Sequence, residues 1–201
     1  MIENYELQIA RFKLFSDSVY KQYCEKENEL SVLNLGDCCE IKTGKLNANE
    51  GSENGIYPFF TCSQTESNID NFAFDTKAII ITGNGDISVK YYEGKFNAYQ
   101  RTYVLTPTKY LCLFLKECEN NISELKSASR GSVIKFITKD MLCKIKIKIF
   151  DNAEIINNKL QEIYNNIMKL NIKIKRLKDI KNQLLHKYFG WYKLTLFNLV
   201  L

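Results

Sequence analysis

Asp86 followed by Glu93-Gly94-Lys95 supplies the residue types of a metal-dependent nuclease. Two carboxylates would hold Mg²⁺, and the lysine would stabilise an attacking hydroxide or the charge on a phosphorane. The competing reading is a hairpin, since Asp86 and Gly94 sit naturally in turns. Around them, the stretch Lys90 to Tyr103 (KYYEGKFNAYQRTY) interleaves cations and aromatics with amide and guanidinium groups. Such side chains pair with phosphates, stack on bases, or make bidentate contacts to guanine and adenine edges. Gln100 and Arg101 are the expected base readers, and Lys90 and Lys95 suit phosphates. Tyr99 and Tyr103 share their alternation with buried positions and are expected in the core. Ser129-Arg130-Gly131-Ser132 with Lys135 is a second polar, cationic segment able to approach a phosphate closely.

Other chemistries are poorly supplied. The seven cysteines include no C-x-x-C pair, and His186 is the sole histidine. A zinc site or a Cys–His nucleophile is therefore hard to assemble, and reduced, mostly buried thiols are expected. There is no P-loop and no glycine-rich methyltransferase loop. With Pro58 and Pro107 as the only prolines, there is no Asn/Asp-Pro-Pro-aromatic tetrapeptide either. The formal charge of +5 is unevenly spread: residues 31–86 carry three Lys against eight acids, whereas 87–150 carry ten Lys and two Arg against five. An anionic partner is expected on the later half and on the C-terminal helix, although solvated lysine faces would have the same composition. The apolar runs are too short to span a bilayer, and Glu3, Glu6, Arg11 and Lys13 interrupt any secretory core, so a cytoplasmic protein without membrane contact is expected.

Residues 1–30 read as a helix with Tyr5, Ile9, Phe12, Val19 and Tyr23 on one stripe, suited to packing on another helix of the chain or of a neighbour. Residues 31–150 read as an α+β domain. Short strands are expected at Cys38–Lys42, Ile56–Phe60, Lys77–Thr82, Ile87–Tyr92 and Phe96–Leu105, with a tight positive-φ turn at Gly83-Asn84-Gly85-Asp86. Thr108 is placed to cap a helix over Lys109–Ala128 whose apolar face is Leu111, Phe114, Leu115, Cys118, Ile122 and Leu125. Strands return at Ser132–Ile137 and Lys144–Phe150, the latter alternating Ile145, Ile147 and Ile149 with Lys144, Lys146 and Lys148. From about Ala153 a proline-free and glycine-free run to Phe189 repeats apolar residues in steps of four and three. Ile156, Leu160, Ile163, Ile167, Leu170, Ile174, Leu177 and Leu184 form the seam of a coiled coil over residues 151–190, broken at Lys181, and a hydrophobic tail follows at 191–201. A seam of this kind requires a partner helix.

The order of these pieces resembles a known family. Leu35-Gly36-Asp37, Glu40 to Lys45, Tyr57 to Cys62, Ile81 to Gly85, Tyr91 to Phe96 and Tyr99 to Tyr103 look like a target recognition domain of the type I restriction-modification specificity subunit. Gly131 to Ile137, the isoleucine strand, the heptad helix and Leu184 to Phe189 resemble its conserved helical region, so the likeness covers residues ~31–189. The resemblance implies a twisted, mainly antiparallel sheet with a few helices, followed by a long coiled-coil helix. It also implies sequence-specific reading of one half of a bipartite site on double-stranded DNA, with no catalysis by this chain. Modification (methyltransferase) and restriction (translocase/nuclease) subunits would bind S-adenosylmethionine, ATP and Mg. The expected DNA-facing set is Lys45, Ser63, Gln64, Lys90, Tyr92, Lys95, Gln100, Arg101, Arg130, Ser132 and Lys135. One recognition domain on one long helix departs from the family's usual two. That implies either a half-subunit that forms a homodimer or pairs with another half, or the product of a rearranged gene; a coiled-coil scaffold that does not read DNA is the further alternative.

Overall fold

The computed structural model describes residues 1–197 except 27, 64–66, 86 and 129–135, and side-chain positions are likewise not described for 26, 29–30, 124–128 and 189–197. Contacts divide the chain into two units, Ser18–Gln161 and a helical one made of Met1–Asp17 with Glu162–Leu201.

The larger unit is built on a six-stranded mixed sheet in the order β2-β7-β5-β6-β3-β4. Its strands are β2 (Cys39–Thr43), β3 (Tyr57–Phe60), β4 (Ser67–Ile69), β5 (Phe74–Thr82), β6 (Val89–Ala98) and β7 (Thr102–Pro107). Every pairing is antiparallel except β3 with β6. Strand β5 lies between two neighbours, and its Ala78 to Ile81 run is fully buried, which is why it reads as a continuous apolar stretch.

On β6 the Tyr92 and Phe96 rings, four residues apart on one face, lean together and meet edge to face at 5.4 Å. Between them Gly94 has a φ of 126°, open only to glycine at low cost. Phe96 sits in a cluster with Phe60, Phe74 and Tyr92, over Ala78, Ile80 and Val104. The sequence reading ran Phe96–Leu105 as one strand; a turn at Tyr99-Gln100-Arg101 divides it, with Thr102 N donating to Tyr99 O at 2.8 Å.

A second, two-stranded sheet pairs β1 (Glu29–Asn34) with β8 (Lys146–Phe150). Strand β1 falls where the end of the first helix was expected; helix α1 stops at Lys26. In β8 the predicted alternation holds, with Ile147 buried and Lys146 and Lys148 exposed. The short helices α2 (Leu35–Cys38) and α4 (Lys139–Cys143) flank this pair, and Thr138 Oγ1 caps α4 by accepting from Met141 N at 3.2 Å.

Helix α3 (Leu111–Ala128) departs from expectation in two ways. Its first two turns, Cys112 to Cys118, are buried on every side rather than along one stripe. Lys116 and Glu117 are therefore enclosed and must be paired. Lys116 bonds to Glu119 at 3.1 Å, and Glu117 accepts from the Tyr20 hydroxyl at 2.5 Å. Nor does Thr108 cap the helix. Tyr110 turns into the left-handed region at φ 55°, and the free amides of Cys112 and Leu113 donate instead to Asn157 Oδ1 at 2.9 and 3.4 Å. The cap thus comes from the start of α5 (Ala153–Phe197). Asn157→Ala should cost about 0.5–2 kcal/mol, as for other lost caps, read as a lower urea midpoint with an unchanged slope. An unchanged midpoint would mean that water replaces the cap.

The ends of the two long helices that belong to this unit are fastened by aromatic packing. Tyr23 stacks edge-on against Phe150 at 5.0 Å and, with Leu113 and Ala153, forms a core that Ile156 joins. For this reason the units part inside α1 (Ile2–Lys26) and α5 rather than near residues 30 and 150.

In the helical unit the apolar seam of α5 is met by the chain's own first helix. Ile163, Ile167, Leu170 and Ile174 are buried, α1 turns Ile2, Tyr5, Ile9, Phe12 and Ser16 inward at heptad spacing, and Lys173 Nζ lies 5.7 Å from the Tyr5 ring centroid. The partner expected from the seam is therefore largely intramolecular. Beyond Ile174 the cover ends: Leu177 is half-buried and Leu184 is 48% exposed. The helix itself continues through Gly190 to Phe197, where a separate tail was expected.

All seven thiols are free, with Cys39, Cys112 and Cys118 buried. Burial pushes Cys39 and Cys112 up to about 12 and raises Cys118 as well. An unfolded thiol ionises near 9 while these folded ones hold their protons, so stability is full below pH ~9 and falls as pH rises from there towards 12. Urea midpoints should be level from pH 7 to 9 and drop above; a midpoint flat to pH 11 would show that these thiols are not buried in solution.

Candidate nucleic-acid interface

The turn Tyr99-Gln100-Arg101 is the point at which distant loops converge. Gly83 N donates to Arg101 O at 2.8 Å, and a Cβ at Gly83 would lie 2.5 Å from that oxygen, so only glycine lets the β5–β6 hairpin approach this closely. The Cys62 thiol donates to the same oxygen at 3.7 Å. From the other side Gln100 N donates to Leu46 O at 2.9 Å, and Tyr99 N donates to Phe60 O at 2.9 Å. Ile137 N closes onto Gly83 O at 2.6 Å, and its own carbonyl accepts from the Tyr103 hydroxyl at 3.0 Å. Gly85 has the positive φ expected of the turn, 66°.

This rim gathers Lys45, Ser63, Gln100 and Arg101, all exposed, from segments up to 56 residues apart in sequence. Lys90, also exposed, lies two residues from Ser88, whose backbone pairs with Thr82 at the base of the same hairpin. Gln64, Arg130, Ser132 and Lys135 lie outside the described residues, as do Asp86 and most of the strand expected at 132–137.

Two of the expected DNA contacts are engaged elsewhere. Tyr92 is half-buried between Phe60 and Phe96, at 5.2 and 5.4 Å, and burial raises its phenol pKa, so its ring is a packing element. Lys95 pairs opposite Asp75 in the sheet, with Nζ 4.6 Å from the Phe72 ring centroid. Lys95 is an odd number of residues from Lys90 and Tyr92, so strand alternation puts it on the other face of β6. The exposed Lys144, Lys146 and Lys148 form a separate row at β8, where Lys146 Nζ donates to Asn34 Oδ1 at 2.8 Å.

Nuclease geometry finds no support among the described residues. Glu93 is tied to Lys77 at 3.2 Å and accepts from the Tyr91 hydroxyl at 3.0 Å. Among the described residues no cluster of His, Cys, Asp or Glu could hold a metal ion.

The rim also contains residues that the sequence reading passed over. Asn47 Oδ1 accepts from Gln100 Nε2 at 3.2 Å. Asn84 Oδ1 is buried without a hydrogen-bond partner among the described residues, although the Asn84 backbone bridges to Phe136. Asn84 falls in the expected turn, where asparagine between glycines carries a turn signal that masks any other role, and Asn47 carries no signal of its own in the sequence.

An α+β unit with a mixed sheet, followed by a long C-terminal helix, matches solved specificity subunits of type I systems. The S subunit of a type I restriction-modification system from M. genitalium superposes with a TM-score of 0.70 at 18% identity, covering 92% of this chain and 56% of that one. The HsdS subunit from Thermoanaerobacter tengcongensis gives 0.53 at 16% identity, over 94% and 53%. The family model for the type I restriction modification DNA specificity domain matches residues 27–186, and the chain belongs to that family. The specificity subunit of the Escherichia coli type I restriction enzyme EcoDI is 42% identical over 127 residues, 61% of this chain and 28% of that protein. The chain thus spans about half the length of these structural relatives and aligns with a smaller share of the curated one.

Proposed function

We propose that this chain is the DNA-reading component of a type I restriction-modification complex, taking one half of a bipartite duplex site and placing adenine-methylating and restriction subunits over it. The rim that joins exposed Lys45, Gln100 and Arg101 carries this reading, since it combines a phosphate-pairing cation with the two side-chain types best suited to base edges. The chain performs no catalysis; S-adenosylmethionine, ATP and Mg belong to its partner subunits, and the assembly works in the cytoplasm. No helix among the described residues is long and apolar enough to cross a membrane. Mapping methylated adenines in a host that expresses this chain with its modification subunits tests the assignment. A split motif whose half-site changes when the rim is replaced supports it, and methylation unaffected by the chain would remove it.

The uncovered end of α5 favours pairing with a second copy, or with another half-subunit. Leu177, Ile180, Leu184, Leu185 and Tyr188 line an apolar groove that continues the seam buried under α1, and a two-part site takes a second recognition domain to be read in full. Leu184→Asp should convert a dimer to a monomer in light scattering without loss of helix content. Ile167→Asp is the wrong probe for this, because Ile167 is already buried within the chain. A monomeric parent chain with no partner present would exclude self-pairing.

A further inference from the structure

The Asn47–Gln100 contact is unusual for an exposed amide pair in that both backbones are held. Gln100 N donates to Leu46 O at 2.9 Å, and the adjoining Leu46 and Tyr99 form a parallel bridge. Asn47 N donates to Glu50 Oε1 at 2.5 Å while its carbonyl accepts from Glu50 N at 3.2 Å, which locks the turn at Ala48–Glu50. Between these two anchored segments the side chains meet, Gln100 Nε2 donating to Asn47 Oδ1 at 3.2 Å.

An amide offers two donors on nitrogen and two acceptor sites on oxygen. With one Nε2 hydrogen committed to Asn47, Gln100 retains one donor and a free Oε1. It can no longer exchange its two ends by rotation without breaking that bond. One donor beside one acceptor, in a fixed order, is the complement of the major-groove edge of adenine, which offers N7 as acceptor and N6–H as donor. A free glutamine would give up much of its rotamer freedom on binding; one already held by Asn47 has less to give up. We propose that Asn47 is a specificity-determining positioning residue: it orients the Gln100 amide so that Gln100 reads an adenine in the half-site. This rests on the DNA-reading function proposed above.

The test is selection of the full chain, at low salt, on a duplex pool randomised across the half-site, followed by sequencing of the bound fraction. The parent should enrich adenine at one position that Gln100→Ala flattens. Asn47→Ala should reduce the preference at that same position by about two- to tenfold, the range of one net hydrogen bond, and leave the other positions as they were. The double variant should match Gln100→Ala alone, since Asn47 acts only through its partner. Asn47→Ala with an unchanged profile, with loss at a different position, or with equal loss at all positions overturns the proposal. If Gln100→Ala changes nothing while Arg101→Ala does, this pair is not a reader although the chain still reads DNA. A parent chain that enriches no sequence overturns DNA reading itself, and this proposal with it.

Discussion

Phe96→Ala should destabilise the sheet-bearing unit by about 3–5 kcal/mol, the range for removing a fully buried phenylalanine. Phe96 is wholly enclosed and touches three rings, Phe74 stacked at 5.1 Å and Phe60 and Tyr92 edge-on at 5.5 and 5.4 Å. Its neighbours come from β3, β5 and both halves of β6, so no single element can move in to fill the space. For a chain of this size, that loss lowers Tm by roughly 6–20 °C. Thermal or urea denaturation decides it, and a loss below 1 kcal/mol would mean that Phe96 is not enclosed by these rings in solution. Phe96→Leu, which keeps most of the volume, should recover the larger part.

Arg101→Ala should separate sequence reading from general affinity. A lost bidentate base contact costs about 1–3 kcal/mol at one base position, whereas a lost phosphate contact weakens every sequence and lowers the salt slope by about one. Arg101 is exposed at the point of convergence, and its backbone is pinned through its carbonyl to Gly83 and Cys62, so truncating its side chain leaves the rim in place. Titrations on a selected duplex and on its scrambled counterpart, at two salt concentrations, should show the loss mainly on the former. Lys144→Ala and Lys148→Ala should reduce binding to both alike. Equal losses on both duplexes for Arg101→Ala would reassign it to the phosphates.

Much was legible without coordinates wherever the physics is local. The heptad from Ile156 to Leu184 specified the long helix and its start at Ala153, because a repeat of 3.5 residues presents one apolar face only in a helix. Alternating isoleucine and lysine specified β8 and its exposed cations, and the glycine-flanked hairpin specified a positive φ at Gly85. The ordered motifs pointed to the specificity-domain family.

What tertiary structure decided was each outcome that depends on a residue far away in the chain. Strand β1 has little pattern of its own and exists by pairing with β8, more than 110 residues later. Helix α3 is capped by Asn157 rather than by its neighbour Thr108, and its first turns are buried all round because packed layers enclose it on every side. Tyr92 packs against Phe60 and Phe96 while Lys95, on the other face of β6, lies over Phe72, a ring brought there from another part of the chain. Periodicity reports which face of an element is apolar; it does not say which element covers that face. Hence the sequence by itself determined that the α5 seam must be covered, and only the fold assigned its first turns to the sheet-bearing unit, the next to α1, and left the last, from Leu177 to Tyr188, open.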